Sequence, residues 1–374
     1  MKDTGTELIA HLNGIEVLRY VYRPEMPETE SPKPYFHPLR TLSGNIVTGY
    51  RPHDHRWHKG LQMTASHVSG QNFWGGGTYV HGSGYVDLPN NGTIRHEEWL
   101  TPPQEAPSLS GPTPPRGPLS RSQPAPERLS PSHPAPERLS PSQPAPAPES
   151  PAATRPTPGS ESPTTSQPTN APATSRQTPG PEPLPPPTTS RDRPAGEHNS
   201  STNQATERLT WWTRDGEHWI DELRTFSATP TADAWTLDFA TTLTNTRSED
   251  LLFGSPTTHG RPMAGYSGLF WRGPRSFTNG HTIGPDMGEQ GQWLAYIGTH
   301  DEVDATSTLL FTSSDPNQTW FVRADPFAAV NPSIAFSKEV RLKPGESMHL
   351  SYRLVIADGT WDRPRIESHL KAHP

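Results

Sequence analysis

"WTLDFATTL", Trp235 to Leu243, sets Trp235, Leu237, Phe239, Thr241 and Leu243 on one side and smaller or polar residues on the other. A period of two marks a strand with one buried face. "MHLSYRLVI" repeats the pattern with Met348, Leu350, Tyr352, Leu354 and Ile356, just after the turn "KPGE". Outward from these, "IEVLRYVY" (15–22) is rich in β-branched and aromatic residues. "ERLTWWT" and "EHWIDELRTF" flank Arg214, Asp215 and Gly216, a good hairpin turn. Helical period is found at the end, in "RPRIESHLKAH" (363–373). Many short strands separated by Gly, Pro, Asn and Asp turns predict an all-β protein, a large antiparallel β-sandwich.

One stretch departs from this pattern. Residues 101–200 hold 29 of the 47 prolines, five leucines, and no Phe, Trp, Tyr, Ile, Val or Met. Such a segment has too little apolar surface to offset the entropy of ordering it. A decapeptide recurs in it ("RSQPAPERLS", "PSHPAPERLS", "PSQPAPAPES") without a hydrophobic face, so it reads as an extended tether rather than a solenoid. The predicted organisation is therefore one sandwich domain in two halves, 1–100 and 206–374, interrupted by a disordered Pro/Ser/Thr-rich insertion over 101–205. "GTIRHEEWL" before it and "ERLTWWT" after it both look like strands, as a loop insertion between neighbouring strands requires. "PERLSPS" and "PLPPP" are compatible with a polyproline-binding partner for 101–200.

The formal net charge of −7 argues against nucleic-acid binding, and no apolar run approaches the roughly 20 residues of a membrane-spanning helix. The absence of cysteine removes disulfides, thiolate metal sites and a Cys nucleophile. With no secretory signature at the N-terminus, the expected location is cytoplasmic.

Seven of the 17 histidines fall between His37 and His96, and "RPHDHRWHKG" (51–60) holds His53, His55 and His58 with Asp54. Three readings stand side by side. On a strand His53 and His55 would share a face and chelate a divalent metal, with His37, His58 or a distant residue completing the set. The cupin pattern, which places Glu four residues after the second His, fails at Lys59. Acid–base chemistry without a metal is the second reading, with imidazoles and Asp54 moving protons at a sugar or carbonyl carbon. Trp57, Trp74, Tyr79, Tyr266, Phe270 and Trp271 would supply an apolar platform, and Arg40, Arg51, Arg261 and Arg272 would hold an anionic or polyhydroxylated small molecule. The third is a polar turn whose side chains satisfy loop backbone groups. "NFWGGGTYVHGSGYV" lacks phosphate-loop spacing and suits a close approach to a ligand or a tight β corner. No GxSxG elbow is present. Asp54, Glu97, Glu98, Asp221, Glu222 and Asp325 include candidate glycosidase pairs, whose separation in space the sequence does not give.

"YFHPLRTLSGNIVTGYRPHDHRWHKGL", "NFWGGGTYV" and "GRPMAGYSGLFWR" together resemble a family of soluble, mainly bacterial proteins labelled "methane oxygenase PmoA", distinct from the membrane subunit of particulate methane monooxygenase. The resemblance covers about 5–100 and 206–360. Its core is His37, Pro38, Leu39, Arg40 and Thr41, then Val47 and Thr48, then Asp54, His55, His58 and Gly60. It implies a strand pattern similar to galactose-mutarotase-like sandwiches, and its label implies a metal-dependent oxygenase using non-haem iron or copper. It also shifts weight from His53 to a site of His37, Arg40, Asp54, His55 and His58. The leading expectation is a sugar-active enzyme or sugar-binding protein. His55 and His58 would be acid–base groups or, with Asp54, metal ligands. Arg40 would hold ligand oxygens, and Trp57, Trp74 and Trp271 would supply stacking surface. A non-catalytic scaffold with a Pro-rich tether is the third class.

Overall fold

The two alternating segments are hydrogen-bonded neighbours. In the computed structural model, which describes residues 1–101 and 203–373, strand Ala234–Asn245 pairs antiparallel with Ser347–Asp358, in a register that sets Leu237 opposite Leu354 and Phe239 opposite Tyr352. Leu237, Phe239 and Leu243 are buried, and each such side chain contributes about 1.5–3 kcal/mol relative to its exposure in water. The described residues belong to one compact unit.

These strands lie within an eight-stranded sheet ordered His281–Ile283, Trp293–Thr299, Thr306–Ser313, Ser347–Asp358, Ala234–Asn245, His218–Pro230, Asn203–Trp212 and Thr93–Thr101. Thr93–Thr101 and Asn203–Trp212, the last and first strands on either side of the proline-rich stretch, are antiparallel partners. Strand Asn203–Trp212 begins inside the span 101–205 expected as an insertion. The disorder and the polyproline-binding partner expected for that span otherwise fall at 102–202, outside the described residues. The hairpin predicted at 214–216 joins two adjacent strands, with Gly216 at a φ of +82°.

A second eight-stranded sheet, here called the site sheet, runs Lys2–Asp3, Glu7–Leu12, Ile15–Val21, Tyr35–Leu39, Leu61–Thr64, Gly268–Arg272, Ala329–Ser333 and Thr319–Arg323. The inner faces of the two sheets share one core: Phe36 meets Phe226 at 5.1 Å and Phe239 at 6.2 Å, and Trp271 meets Phe311 at 5.7 Å between ring centroids. The all-β antiparallel sandwich read from the sequence is therefore the fold. The helix expected at the C-terminus forms over Arg363–Ala372. Asp362 caps it by accepting the Arg365 N–H at 3.0 Å. Its Ile366 and the preceding Trp361 cover Ala234, Leu310, Val355 and Ala357, on the opposite face of that sheet from Leu354 and Ile356.

Inside the core lies a charged network. Arg224 Nε donates to Glu222 Oε1 at 2.8 Å, and its Nη1 donates to the Tyr20 hydroxyl at 2.6 Å. Tyr20 in turn donates to Glu207, and His96 Nδ1 lies 2.6 Å from Glu207 Oε2. Trp211 Nε1 and Thr241 Oγ1 donate to Glu222 at 2.7 and 2.8 Å. Burial pushes the Tyr20 hydroxyl far above its ordinary range, so it stays a donor.

Candidate functional site

Alternation on strand Gly268–Arg272 turns Leu269 and Trp271 into the core, while Phe270 joins Trp74, Phe321 and Phe336 in a separate aromatic cluster on the outer face. Strand Thr319–Arg323 does the same, with Trp320 inward and Phe321 in the outer cluster. On that outer face lies a cavity of about 360 Å³, lined by His55, Trp57, His58, Trp74, Gly75, Gly77, Tyr85, Arg261, Tyr266, Phe270, Phe321, Arg323, Pro326 and Phe327.

The histidines reach it through a tightly closed loop. Gly49 N donates to Arg272 O, and Arg272 N to Gly60 O, so the loop ends are stitched to the neighbouring strand at 2.8 and 2.7 Å. Arg51 N donates to His58 O at 2.9 Å. Two consecutive turns follow, with His55 N bonded to Pro52 O and His58 N to His55 O at 3.0 and 2.9 Å. They bring the His55 and His58 rings to 4.8 Å, nearly parallel. Gly60 closes the loop at a φ of +58°, and a Cβ there would meet Phe36 O at 2.1 Å, so no other residue fits. From beneath, buried Lys59 donates to Arg56 O at 3.0 Å and to Glu30 Oε2 at 2.6 Å, and Gln62 Nε2 donates to Trp57 O at 3.1 Å. Buried Lys33 holds Ser31 O and Trp74 O at 2.6 and 3.0 Å.

The glycine run 75–77 serves this wall. A Cβ on Gly76 would meet the Trp57 ring at 2.6 Å, and one on Gly75 would meet Trp57 Cβ at 2.6 Å. The close approach predicted there is therefore made to Trp57. Trp74 packs on Tyr266 at 4.5 Å and on Phe270 at 4.7 Å.

His55 Nδ1 lies 3.0 Å from Asp54 Oδ2. Burial lowers the His55 pKa, and Asp54 opposes this. Burial raises the Asp54 carboxyl, but His55 and Arg272 outweigh it and hold Asp54 below its ordinary range. His58 is held well below its ordinary range by burial first, then by His55 and Arg272. Its Nδ1 accepts from Arg272 Nη1 at 3.2 Å, which leaves the ring proton on Nε2. Burial lowers Arg272 to about 10, with Asp54 opposing. At neutral pH the cleft thus presents neutral imidazoles beside guanidinium cations.

Of the residues singled out in the sequence, the structure brings His55, His58, Trp57, Trp74, Arg261 and Tyr266 into the cleft lining, with Asp54 and Arg272 in contact behind them. Several do not belong, among them Arg51, which pairs with Glu30, and Tyr79, which is absent from the lining. Trp271 is fully buried in the sandwich core, its Nε1 donating to Val47 O at 2.9 Å, because its parity on the strand is opposite to that of Phe270. Arg40 sits elsewhere: its Nη1 donates to Gly44 O at 3.1 Å, and its carbonyl accepts from Trp235 Nε1 at 2.7 Å. His37 bonds Thr48 Oγ1 at 2.9 Å and stacks on Tyr50. The expected metal set fares no better. Among the described residues no group of three or more His, Asp or Glu side chains could hold a metal ion, and Arg272 sets a cation against His58 Nδ1. His55, His58 and Asp54 therefore do not fit a metal centre.

The candidate carboxylate pairs do not meet here either. Glu222 belongs to the core network, Glu97 accepts from Thr210, Glu98 from Arg208, and Asp221 lies 3.1 Å from His218. No Asp or Glu is among the lining residues. Sequence reasoning placed Phe270 correctly on the platform but missed Tyr85, Phe321, Arg323, Pro326 and Phe327. The signal for Phe321 and Arg323 was available: in "TWFVR" both alternate with core-facing Trp320.

With this geometry in place, comparison with known proteins adds one family. A family model described as "Family of unknown function (DUF6807)" matches residues 8–108 and 188–371, most of the chain. The chain belongs to this family. No curated protein matches it. Among solved structures, part of this DUF6807 chain is similar to a GH36 alpha-galactosidase, AgaA, from Geobacillus stearothermophilus, solved in complex with raffinose. The identity is 14% and the TM-score 0.27, over 42% of this chain and 24% of that one. The chain thus spans about a quarter of that protein's length. Among the described residues no helix is long and apolar enough to cross a membrane.

Proposed function

We propose that the cleft on the site sheet binds a carbohydrate and that His55 acts on it as an acid–base group. The observation that carries this reading is the pairing of aromatic walls, Trp57, Trp74 and Tyr266, with a neutral imidazole backed by a carboxylate. A sugar ring presents an apolar face to an aromatic wall and hydroxyls to the polar groups at its edge. The volume, about 360 Å³, lies at the small end of ligand cavities, which run from about 300 to 1,000 Å³.

The Asp54 carboxylate, 3.0 Å from Nδ1 though not aligned as a hydrogen bond, favours by its charge a proton on Nδ1 and so a free lone pair on Nε2. Nε2 would take a proton from a substrate hydroxyl, and Asp54 would stabilise the imidazolium that forms. His58, fixed by Arg272, would donate from Nε2 and orient the ligand rather than exchange protons, since burial keeps it neutral. The oxygenase implied by the resemblance to PmoA-labelled proteins needs a metal on His55, His58 and Asp54, and the Arg272 contact disfavours one.

The test is titration of intrinsic fluorescence with a panel of mono- and disaccharides, followed by product analysis by NMR. At least one sugar should bind, and Trp57→Ala, verified as folded by circular dichroism, should weaken it about tenfold or more, the scale of one lost aromatic contact. His55→Gln should leave binding within a few-fold and lower conversion about 10²- to 10⁴-fold. Absence of sugar binding, or binding indifferent to Trp57→Ala, would sink the proposal.

A further inference from the structure

Three arginines gather at the cleft. Arg261 and Arg323 line it, and Arg272 stands behind His58. Among the described residues none of the three is ion-paired with a carboxylate. Arg261 donates to the Tyr85 hydroxyl, Arg272 to His58 Nδ1, and Arg323 makes ring contacts with Phe321 and Phe327 at 5.4 and 5.7 Å. Arg272 also lies 3.7 Å from the Phe327 centroid and is 6% exposed. Elsewhere several such cations are paired: Arg51 and Lys59 share Glu30, Arg224 holds Glu222, and Arg353 holds Asp238, while buried Lys33 is held by carbonyl oxygens alone.

Leaving a guanidinium partly buried without an anion is costly, because lost hydration is not replaced by a counter-charge. Arg261 and Arg323 are also close enough to feel one another, which together with burial lowers the Arg323 pKa. Asp54 lies 3.0 Å from His55 Nδ1 and acts on Arg272 through its charge, without an ion pair to it. The chain as a whole carries a formal charge of −7, so this positive lining is local and opposes the general field.

We infer that the ligand of this cleft carries an anionic group, and that Arg323 with Arg261 receives it while the aromatic walls take its ring. The inference rests on the carbohydrate reading and narrows it to acidic sugars, of which a uronate is the simplest. A guanidinium is suited to this because its planar fork meets both oxygens of a carboxylate at once. Arg272 would contribute charge from behind without touching the anion, since its Nη1 is engaged by His58. The Tyr85 hydroxyl, bonded to Arg261 and 2.5 Å from the Tyr266 hydroxyl, fixes the position of the Arg261 head group.

The experiment is calorimetric titration of the full chain with D-galacturonate and D-glucuronate, against D-galactose, D-glucose, benzoate and inorganic phosphate. A uronate should bind at least tenfold more tightly than its neutral counterpart. Arg323→Gln should weaken uronate binding about 10- to 100-fold, the scale of one lost charge-assisted bond, and leave the neutral sugar unchanged. Arg323→Lys, which keeps the charge and loses the fork, should fall between, and guards against a fold defect in the first variant. Equal affinity for uronate and neutral sugar, or uronate binding indifferent to Arg323→Gln, overturns the inference and leaves the carbohydrate reading standing. Benzoate or phosphate binding as tightly as the uronates, with no neutral sugar bound, overturns the carbohydrate reading while the anion-selective cleft stands. Failure of every probe to bind overturns both.

Discussion

Arg224→Met should destabilise the fold by about 3–5 kcal/mol, the cost of leaving buried charge without its partner. Arg224 is the cation between two carboxylates, Glu207 and Glu222, both fully buried between the sheets. Methionine matches the length of the stem but removes Nε from Glu222 and Nη1 from Tyr20. Glu222 would keep Trp211 and Thr241 as donors, which is why the loss is bounded. Urea unfolding at neutral pH reads the change as a lower midpoint with an unchanged slope. A triple replacement of Arg224, Glu222 and Glu207 by apolar residues of like volume should recover much of it, since well-packed apolar cores often match buried ion pairs. A single variant as stable as the parent would mean that the network is not charged in the fold.

Acid should destabilise the protein between pH 6.5 and about 4, a window that opens above the range in which its carboxylates titrate. Burial lowers His37 and His67 to about 4 and holds His58 well below its ordinary range. Above pH 6.5 these rings are neutral in both states and contribute no slope. Below it the unfolded chain takes up protons that the folded chain does not, so stability falls until the folded rings also titrate. His67 is 5% exposed, with its Nε2 unpartnered and its ring stacked 3.9 Å from His259. One pKa unit is worth about 1.4 kcal/mol, so His67 alone should cost about 2–3 kcal/mol at pH 4.5. Unfolding curves from pH 7 to 4.5 check this, and His67→Phe should flatten the slope by about that amount. Parallel curves for parent and variant would show that His67 does not titrate in this window.

How much of this was legible in the sequence depended on what each feature requires. Strands with one wet face declare themselves, because alternation at Trp235–Leu243 and Met348–Ile356 needs no knowledge of partners. The turn at Gly216 is equally local. The cleft was half legible. His55, His58 and Trp57 stand out as a cluster, but they gather only because two consecutive turns are stitched to a distant strand at Arg272. Arg40 and Trp271 were misplaced for the same reason. A residue's type suggests chemistry, while its face is set by strand parity and pairing that adjacent letters do not reveal. Phe270 and Trp271 are neighbours in the chain and lie on opposite sides of the sheet. The outward face of Arg323 was legible in the alternation of "TWFVR", but its lack of a carboxylate partner is a property of the assembled fold.

A crystal structure grown with D-galacturonate would decide whether this cleft is the ligand site of an acidic sugar. The pyranose face should lie against Trp57 or Trp74, the carboxylate within hydrogen-bond distance of Arg323 or Arg261, and a hydroxyl opposite His55 Nε2. A uronate seated elsewhere on the protein, or a cleft that stays empty at saturating uronate, would contradict it.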